Sequence, residues 1–343
     1  MGNFSPNDRP AYDLRVTPGE WSSRIKSLAR GVGFDRAGVA RAEAIGRRAY
    51  LRAWLDAGRA GSMAYLHRYF EQRTDPRALL PGARSVIVVA LSYHQPNVET
   101  SGSEPRAPGD APRGRIARYA WGLDYHRVMR KKLHHVADAL RQEAGDRGIA
   151  DVRTRVCVDT APLIEREFAA AAGVGWIGKN TLVLHPDLGS YFFLGAIVTT
   201  LEIAPDPPAV DHCGACTRCL DACPTSAFPA AYQMDASRCT SYLTIEHRGE
   251  IPSGFDGVTG DWLFGCDVCQ EVCPHNRDAA ANREPDFAVR PPAPCVDLRD
   301  LLAWTEADYQ RNLAGSAMKR ATLDMLKRNA RRIMATSTDA EAG

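Results

Sequence analysis

Cysteine spacing is the feature of this sequence that most directly predicts chemistry. Eight of the ten cysteines fall between residues 213 and 273. The first four have the spacing C-x2-C-x2-C-x3-C-P, in which three thiolates bind one [4Fe–4S] cluster and the fourth binds another. A second run repeats the last three positions. The two runs are Cys213, Cys216, Cys219 and Cys223 before Pro224, and Cys266, Cys269 and Cys273 before Pro274.

Two clusters require eight thiolate ligands, and the second run is one short because its first position is Leu263. Cys239 is the candidate for the missing ligand, which leaves Cys157 as a buried apolar residue and Cys295 as a linker residue. The crossover of the last cysteine in each run then predicts two sets of ligands. Cluster I is assigned Cys213, Cys216, Cys219 and Cys273, and cluster II is assigned Cys223, Cys239, Cys266 and Cys269.

Structural zinc is the alternative for such a cysteine-rich segment. Zinc sites are typically built from two well-separated C-x2-C pairs that close around one tetrahedral ion. The overlapping run followed by Cys-Pro favours iron–sulfur clusters instead.

The composition and net charge of the chain exclude several classes of protein. The chain has 343 residues, 45% hydrophobic and 24% charged, with a formal net charge of +2, which excludes a disordered or supercharged protein. We find no apolar run of about 18 residues and no leader or twin-arginine pair near the first residue. We therefore expect a cytoplasmic protein without a membrane span, and a monomer of two or three domains.

The elements that precede the cysteines alternate between helix and strand, which is typical of a layered α/β domain. A capping box predicts a helix that follows Thr17, with Pro18 at its first position and Glu20 three residues after the cap. Residues 95–114 are rich in Pro and Gly and predict a surface loop. The remaining pattern predicts helices over 42–57, 125–143 and 162–172, strands over 37–39, 85–91, 152–158, 181–184 and 191–200, and a turn over 173–179.

Two proline-rich segments divide the chain into three predicted regions. The first lies at Ala204–Pro208 and the second at Glu284–Pro294. We predict an α/β domain over 1–203, a two-cluster domain over 204–285 and a short helical segment over 286–343. In the last region an amphipathic helix places Leu323, Leu326, Ala330, Ile333 and Met334 on one face.

Six sequence stretches give the chain a specific resemblance to a known family. They are residues 61–66 (GSMAYL), 118–126 (RYAWGLDYH), 158–166 (VDTAPLIER), 175–181 (GWIGKNT), 241–249 (SYLTIEHRG) and 264–274 (FGCDVCQEVCP). Together with the cysteine spacing, they resemble the epoxyqueuosine reductases from about Thr17 to about Thr336.

The resemblance implies an architecture and a reaction. The expected fold is a nitroreductase-like α/β domain that binds cobalamin, followed by a bacterial-ferredoxin-like module and a short HEAT-like helical segment. The clusters would pass electrons one at a time from a ferredoxin or flavodoxin type donor to cobalt. The cobalamin tail is expected not to ligate the metal, which makes cob(I)alamin more accessible. The expected substrate is epoxyqueuosine at the wobble position of a tRNA anticodon, whose epoxide oxygen leaves as water.

The resemblance also implies roles for single residues. Asp159, at the end of the strand predicted over 152–158, matches the proton donor of the family, and burial against cobalamin is expected to raise its pKa. The alternative is that Asp159 caps a helix beginning at Pro162. We expect cobalamin contacts from Asp159, Asn180, Ser241, Tyr65 and Tyr119. A turn role for Asn180 and ordinary core packing for the tyrosines are the alternatives.

Basic segments predict where RNA would bind despite the low net charge. Residues 113–132 and residues 311–332 each carry seven Lys or Arg side chains against one acidic residue. They could contact phosphates, although the same pattern is typical of solvated helix faces. The resemblance implies tRNA contacts by Glu246, His247, Arg248, Lys319, Arg320, Arg328 and Arg331, with a structural histidine as the alternative for His247. The helical tail is short, which could weaken tRNA affinity.

Two other functions fit parts of the pattern. A reductive dehalogenase also joins cobalamin to two clusters, but it usually carries a twin-arginine signal and a different proton donor. A non-catalytic two-cluster electron-transfer protein would not need an α/β domain of about 200 residues.

Overall fold

The computed structural model describes residues 16–96, 98 and 112–341, with side chains up to residue 336. Its helices are α1 (Pro18–Gly31), α2 (Arg48–Asp56), α3 (Phe70–Thr74), α4 (Pro76–Leu79), α5 (Tyr125–Asp146), α6 (Glu165–Ala171), α7 (Arg218–Asp221), α8 (Thr240–Ile245), α9 (Val268–Glu271), α10 (Leu298–Ala303), α11 (Glu306–Asn312) and α12 (Leu323–Glu341). Its strands are β1 (Arg36–Arg41), β2 (Ser85–Ser92), β3 (Arg113–Ile116), β4 (Thr154–Cys157), β5 (Trp176–Ile177), β6 (Val183–Leu184), β7 (Phe192–Thr199), β8 (Trp262–Phe264) and β9 (Cys295–Asp297).

An antiparallel sheet with the order β1-β2-β7-β4 forms the centre of the α/β part. Every residue of β2 is buried, as its continuous apolar sequence predicts for a strand covered on both faces. Trp21 and Ile25 of α1 pack with Leu133 and Leu140 of α5 on one face. Phe168 of α6 packs on the other face. The prediction of a layered α/β domain is confirmed.

Helix α1 follows the predicted capping box. The Glu20 amide donates to the Thr17 hydroxyl at 3.2 Å, and the Thr17 amide donates to the Glu20 carboxylate at 2.7 Å. These bonds satisfy two amides that would otherwise have no partner at the helix start.

Two predicted helix starts and one predicted turn are wrong. Helix α2 begins at Arg48 rather than 42, and α6 begins at Glu165 rather than 162. Asp159 is therefore not a helix cap; the residue before α6 is Ile164. The predicted turn over 173–179 contains β5, which pairs with β6.

A second sheet joins parts of the chain that are far apart in sequence. Strand β3 pairs parallel with β8 and antiparallel with β9. Strand β3 thus ends the predicted loop over 95–114, of which residues 97 and 99–111 lie outside the described residues. Because its three strands come from the three regions predicted above, this sheet ties those regions together.

The C-terminal helices pack on this second sheet. Leu326, Ala330 and Ile333 of α12 are buried against Leu298 and Leu301 of α10, and Leu323 and Met334 are half-buried in the same cluster. The predicted apolar face of α12 is confirmed. None of the helices in the described residues has the length and hydropathy of a membrane span.

Candidate active site

The eight cysteines between residues 213 and 273 form two groups in space. Cys219 lies within electrostatic range of Cys213, Cys216 and Cys273. Cys266 and Cys269 lie in the same way near Cys223 and Cys239. These groups match the ligand sets of cluster I and cluster II, including the crossover of Cys223 and Cys273.

Backbone amides point toward several of these sulfur atoms. The amides of Ser241 and Tyr242 donate to Cys239, and the amide of Ala227 donates to Cys223 at 3.3 Å. Such bonds stabilise a thiolate and are one way in which a protein sets the potential of an iron–sulfur cluster. Four thiols in each of the two groups fit the four-thiolate requirement of a [4Fe–4S] cluster.

The turn after β5 connects both cysteine groups to the α/β part. The Lys179 ammonium donates to the carbonyls of Gly214 at 2.7 Å and Cys216 at 2.9 Å. The Asn180 side-chain amide donates to the Cys269 carbonyl at 3.4 Å, and its oxygen accepts from the Leu182 amide at 3.2 Å. Adjacent residues thus hold the cluster I loop and the cluster II loop in fixed positions.

A cavity of about 350 Å³ lies between the central sheet and the second cysteine group. One wall is aromatic and includes Tyr119, Tyr125 and Phe193. The lining also includes Cys239, Cys266 and Cys269 of the second cysteine group. A group bound in this cavity would therefore lie directly beside cluster II.

Asp159 lies at the mouth of this cavity, directly after β4. Its side chain is 62% exposed. One carboxylate oxygen accepts hydrogen bonds from the Tyr125 hydroxyl and from Nε2 of His126, both at 3.0 Å. Its backbone has a φ of 47°, a left-handed conformation that is uncommon for a residue other than glycine and often marks functional sites. The amide of Asp159 donates to the Glu165 carboxylate at 2.8 Å, which holds this conformation.

His126 connects Asp159 to a second carboxylate. Its Nδ1 lies 2.7 Å from Asp124, which also caps the start of α5. Burial lowers the pKa of His126, but hydrogen bonds to Asp124 and Asp159 outweigh this effect and raise the pKa to about 9. The imidazole is therefore protonated at neutral pH.

The pKa of Asp159 differs from the sequence-based expectation. Burial raises it, but hydrogen bonds from His126 and Tyr125 and the positive charge of His126 hold it below the ordinary value. In the protein alone the pKa of Asp159 is thus lowered, and a pKa raised by burial against cobalamin stays a prediction. Burial and the nearby charge of Asp159 instead raise the pKa of Glu165 to about 7. At neutral pH the protonated group of this pair is thus His126, one hydrogen bond from Asp159.

The predicted cobalamin contacts occupy two locations. Tyr119, Asn180 and Ser241 line the cavity together with Asp159. Tyr65 does not line it; its ring is 39% exposed and lies below the Arg320 guanidinium at 5.7 Å. Charges on Arg320 and Asp159 both affect the pKa of Tyr65, so this residue lies just outside the mouth.

The residues predicted to contact tRNA lie next to each other on the surface. Arg320 forms two hydrogen bonds of 2.7 Å to the Glu246 carboxylate, and Arg248 donates to the Arg320 carbonyl at 3.4 Å. His247 bonds the Glu250 carbonyl at 2.8 Å. Arg331 is exposed on α12, and the Lys319 ammonium is exposed near Gln310.

Arg328 differs from the other predicted tRNA contacts because it is only 9% exposed. Its guanidinium donates to the carbonyls of Leu243 at 2.9 Å and His247 at 2.8 Å, and also to that of Gly249. These donors are not available for phosphate. The position argues against a direct tRNA contact by Arg328 and favours a structural role under the 246–250 loop.

Sequence reasoning missed several residues of the site. Tyr125 and His126 lie in the stretch 118–126, and Glu165 and Arg166 lie in the stretch 158–166. Both stretches carried the family resemblance, so the motifs contained the signal. The proximity of Tyr125 and His126 to Asp159 could not be inferred, because it depends on how α5 packs against the central sheet.

Comparison with known proteins places these features in one family. Residues 73–160 match the family described as epoxyqueuosine reductase QueG, DUF1730. Residues 212–276 match a 4Fe-4S double cluster binding domain. This segment contains all eight cysteines of the two groups, so the prediction of [4Fe–4S] clusters here is confirmed.

Whole-chain relatives agree with the domain matches. The chain is 41% identical over 315 residues to the epoxyqueuosine reductase of Xanthomonas campestris, with coverage of 92% of this chain and 86% of that protein. It is 42% identical over 328 residues to that of Gloeobacter violaceus, with coverage of 94% and 98%.

Solved structures show the same relationship. A crystal structure of epoxyqueuosine reductase with an epoxyqueuosine-modified tRNA-Tyr stem loop matches with a TM-score of 0.84 and 33% identity, over 93% of this chain and 82% of that one. The Bacillus subtilis enzyme, whose catalytic aspartate loop is swung out of the active site, matches with a TM-score of 0.82 and 32% identity over the same shares. The chain therefore belongs to the epoxyqueuosine reductases, a family of oxidoreductases.

Proposed function

We propose that this protein reduces epoxyqueuosine to queuosine in the anticodon loop of tRNA, with cobalamin bound in the cavity and supplied with electrons by the two clusters. The observation that carries this proposal is the composition of the cavity. It combines a proton-transferring carboxylate, Asp159, with three ligands of cluster II in one space. A reduction that consumes two electrons and two protons requires both.

The cavity residues fit cobalamin. Tyr119, Tyr125 and Phe193 provide an aromatic wall against which a flat macrocycle can pack. Asn180 and Ser241 place polar groups at the edge of that wall, where amide side chains of the cofactor need partners. When bound, cobalamin would supply a low-valent cobalt that delivers electrons to the substrate. We propose the nitroreductase-like description of residues 1–203 on the same basis, together with the divisions 204–285 and 286–343.

The polar residues at the mouth provide a route for one proton. The His126 imidazolium is held by Asp124 and lies 3.0 Å from the Asp159 carboxylate. His126 can pass its proton to Asp159 through the existing hydrogen bond, and Asp159 can give that proton to the departing epoxide oxygen. Asp159 is then the donor to the substrate, and His126 is the residue that stores the proton.

This route predicts a pH dependence. Because only protonated His126 can supply the proton, and its pKa is raised to about 9, turnover should be maintained below that value and fall as pH rises through it. His126→Gln should remove this basic limb and lower the rate about tenfold or more. His135→Gln, an exposed change on the same helix, is the matched control. The measurement is queuosine formation against pH under a chemical reductant, and a basic limb that persists near pH 9 in His126→Gln would contradict the assignment.

The location of the predicted tRNA contacts supports the choice of substrate. Arg320 lies within electrostatic range of Asp159 and contacts both Tyr65 and Glu246. A surface of basic and aromatic side chains therefore borders the mouth of the cavity. Anticodon bases are single-stranded, so one of them can enter the cavity at low unstacking cost while phosphates contact this surface.

Substitutions of two arginines of α12 should have different effects, one on stability and the other on tRNA binding. Arg328→Ala removes a buried guanidinium and leaves three carbonyls without a partner, so the free energy of unfolding should fall by about 3 kcal/mol. Arg331→Ala changes an exposed side chain; it should alter stability by less than about 0.5 kcal/mol but weaken tRNA binding and lower its salt slope by about one. Chemical denaturation and filter binding measure the two effects. Equal destabilisation by both changes would refute the structural role of Arg328.

A reconstitution experiment tests the function itself. Purified protein is incubated without oxygen with cobalamin, a strong chemical reductant and tRNA that contains epoxyqueuosine, and the nucleosides are then analysed. Formation of queuosine supports the proposal. Protein that holds iron and sulfide but neither binds cobalamin nor forms queuosine would instead support a non-catalytic electron-transfer protein.

A further inference from the structure

A second concavity, of about 960 Å³, lies on the cluster I side of the protein, and we call it the basic groove. Of the four proposed cluster I ligands, only Cys273 lines it, so the groove lies outside the space enclosed by the cysteines. The cavity that contains Asp159 is lined instead by cluster II cysteines. The two concavities therefore give access to different ends of the cluster pair.

The charged residues of the basic groove are mostly positive. Its lining comprises four arginines and two acidic residues, namely Arg115, Arg118, Arg218, Arg277, Asp221 and Glu271. Glu271 is already paired with Arg115 at 2.5 Å. Its distance to the Arg118 guanidinium is 3.9 Å, and Nε and Nη1 of Arg118 have no hydrogen-bond partner among the described residues. Arg115 also lies 3.9 Å from Asp261, and Arg118 lies within electrostatic range of the buried Asp267. The charges of the inner wall are therefore largely balanced, and the excess positive charge of the groove comes from its outer wall.

The outer wall carries two further positive charges. Arg218 is exposed and lies between the cluster I ligands Cys216 and Cys219, and Arg277 is exposed four residues after Cys273. Neither side chain forms an ion pair within the described part of the chain. Exposed, uncompensated charges in a concave surface focus the electric field and steer oppositely charged partners toward it.

We propose that the basic groove is the docking surface for an acidic one-electron carrier protein that reduces cluster I. The inference rests on the proposed function, because the reaction requires an external electron source. Each encounter oxidises the carrier by one electron and reduces cluster I by one electron, so two encounters supply one turnover. The position of Cys273 in the groove brings the docked carrier next to the cluster that lies farther from the substrate.

RNA phosphate is the other polyanion that a basic groove could bind. The single residues that the resemblance predicts to contact tRNA are found elsewhere, around Glu246, Arg320 and the mouth that contains Asp159. Arg115 and Arg118 of the basic segment 113–132 do line the groove, but both face Glu271. The basic groove shares no lining residue with that mouth. The charge pattern beside a cluster ligand therefore favours a redox partner.

The test uses the protein with both clusters assembled and reduced flavodoxin as the probe. In the Arg218→Glu/Arg277→Glu variant at low salt, the dissociation constant for flavodoxin should rise about tenfold or more. The second-order rate constant of cluster reduction should fall by a similar factor. Reduction by methyl viologen radical, a small cation, should not slow. Arg30→Glu/Arg299→Glu, which reverses two exposed arginines outside the groove, should behave as the unmodified protein.

Three results would overturn the proposal: an unchanged flavodoxin rate in the groove variant, an equal slowing with methyl viologen, or weaker tRNA binding with an unchanged flavodoxin rate. If the charge reversals prevent cluster assembly, Arg218→Gln/Arg277→Gln and the salt dependence of the unmodified protein test the same claim, because a steered encounter slows as salt is added. Cluster bleaching and flavodoxin binding are measured without tRNA. An incorrect substrate assignment therefore leaves this test intact.

Discussion

Replacing Asp159 with asparagine is expected to slow queuosine formation by about 10²–10⁴-fold, the usual contribution of a positioned general acid. Asparagine keeps the size of the side chain and tolerates the left-handed backbone conformation, with a φ of 47° at this position. It can still accept the hydrogen bond from Tyr125. What it loses is the ability to take a proton from His126 and pass it on.

The same protein offers a matched control for this change. Asp151 is also an exposed aspartate with a left-handed backbone, at a φ of 57°, but it lies outside the cavity lining. Asp151→Asn should therefore leave turnover unchanged. The measurement is the rate of queuosine formation under saturating chemical reductant, with iron, sulfide and bound cobalamin quantified in each variant. A rate for Asp159→Asn equal to that of Asp151→Asn would refute proton donation by Asp159.

This site was only partly predictable from the sequence, because some of its features depend on neighbouring residues and others depend on residues that are distant in sequence. Apart from Cys239, which was the remaining candidate, the cluster ligands occur at fixed short spacings, so the sequence alone predicts eight thiolates in two sets. Burial was likewise predictable for β2, where every residue is apolar or small. These features depend on neighbours within a few residues.

Features that depend on tertiary packing could not be predicted from the sequence. The pKa of Asp159 is set by His126, which is 33 residues away in sequence and reaches it through the packing of α5 on the sheet. Arg328 appears in sequence as one of several basic residues on a helix. Only the position of the 246–250 loop, about 80 residues earlier, shows that its guanidinium is buried. The lowered pKa of Asp159 and the burial of Arg328 thus have the same origin, which is contact with residues that are distant in sequence.

Loss of a cluster II ligand should have an effect as large as loss of Asp159. Cys239→Ala is expected to reduce the iron content from about eight to about four atoms per chain, because one of two four-iron clusters loses a ligand. Turnover should fall below detection, since three of the four proposed cluster II ligands line the cavity. Cys295→Ala, which changes a buried cysteine outside both groups, should keep both clusters and the activity.

Double substitutions distinguish the crossed ligand sets from sets that simply follow the sequence. With the crossover, Cys223 and Cys266 belong to the same cluster, so Cys223→Ala/Cys266→Ala should retain about four iron atoms. Cys239→Ala/Cys273→Ala should retain almost none, because the two residues belong to different clusters. Sequential sets predict the opposite outcome for each pair. Iron and acid-labile sulfide measured on protein prepared without oxygen therefore decide the connectivity, and with it which cluster faces the cavity and which faces the basic groove.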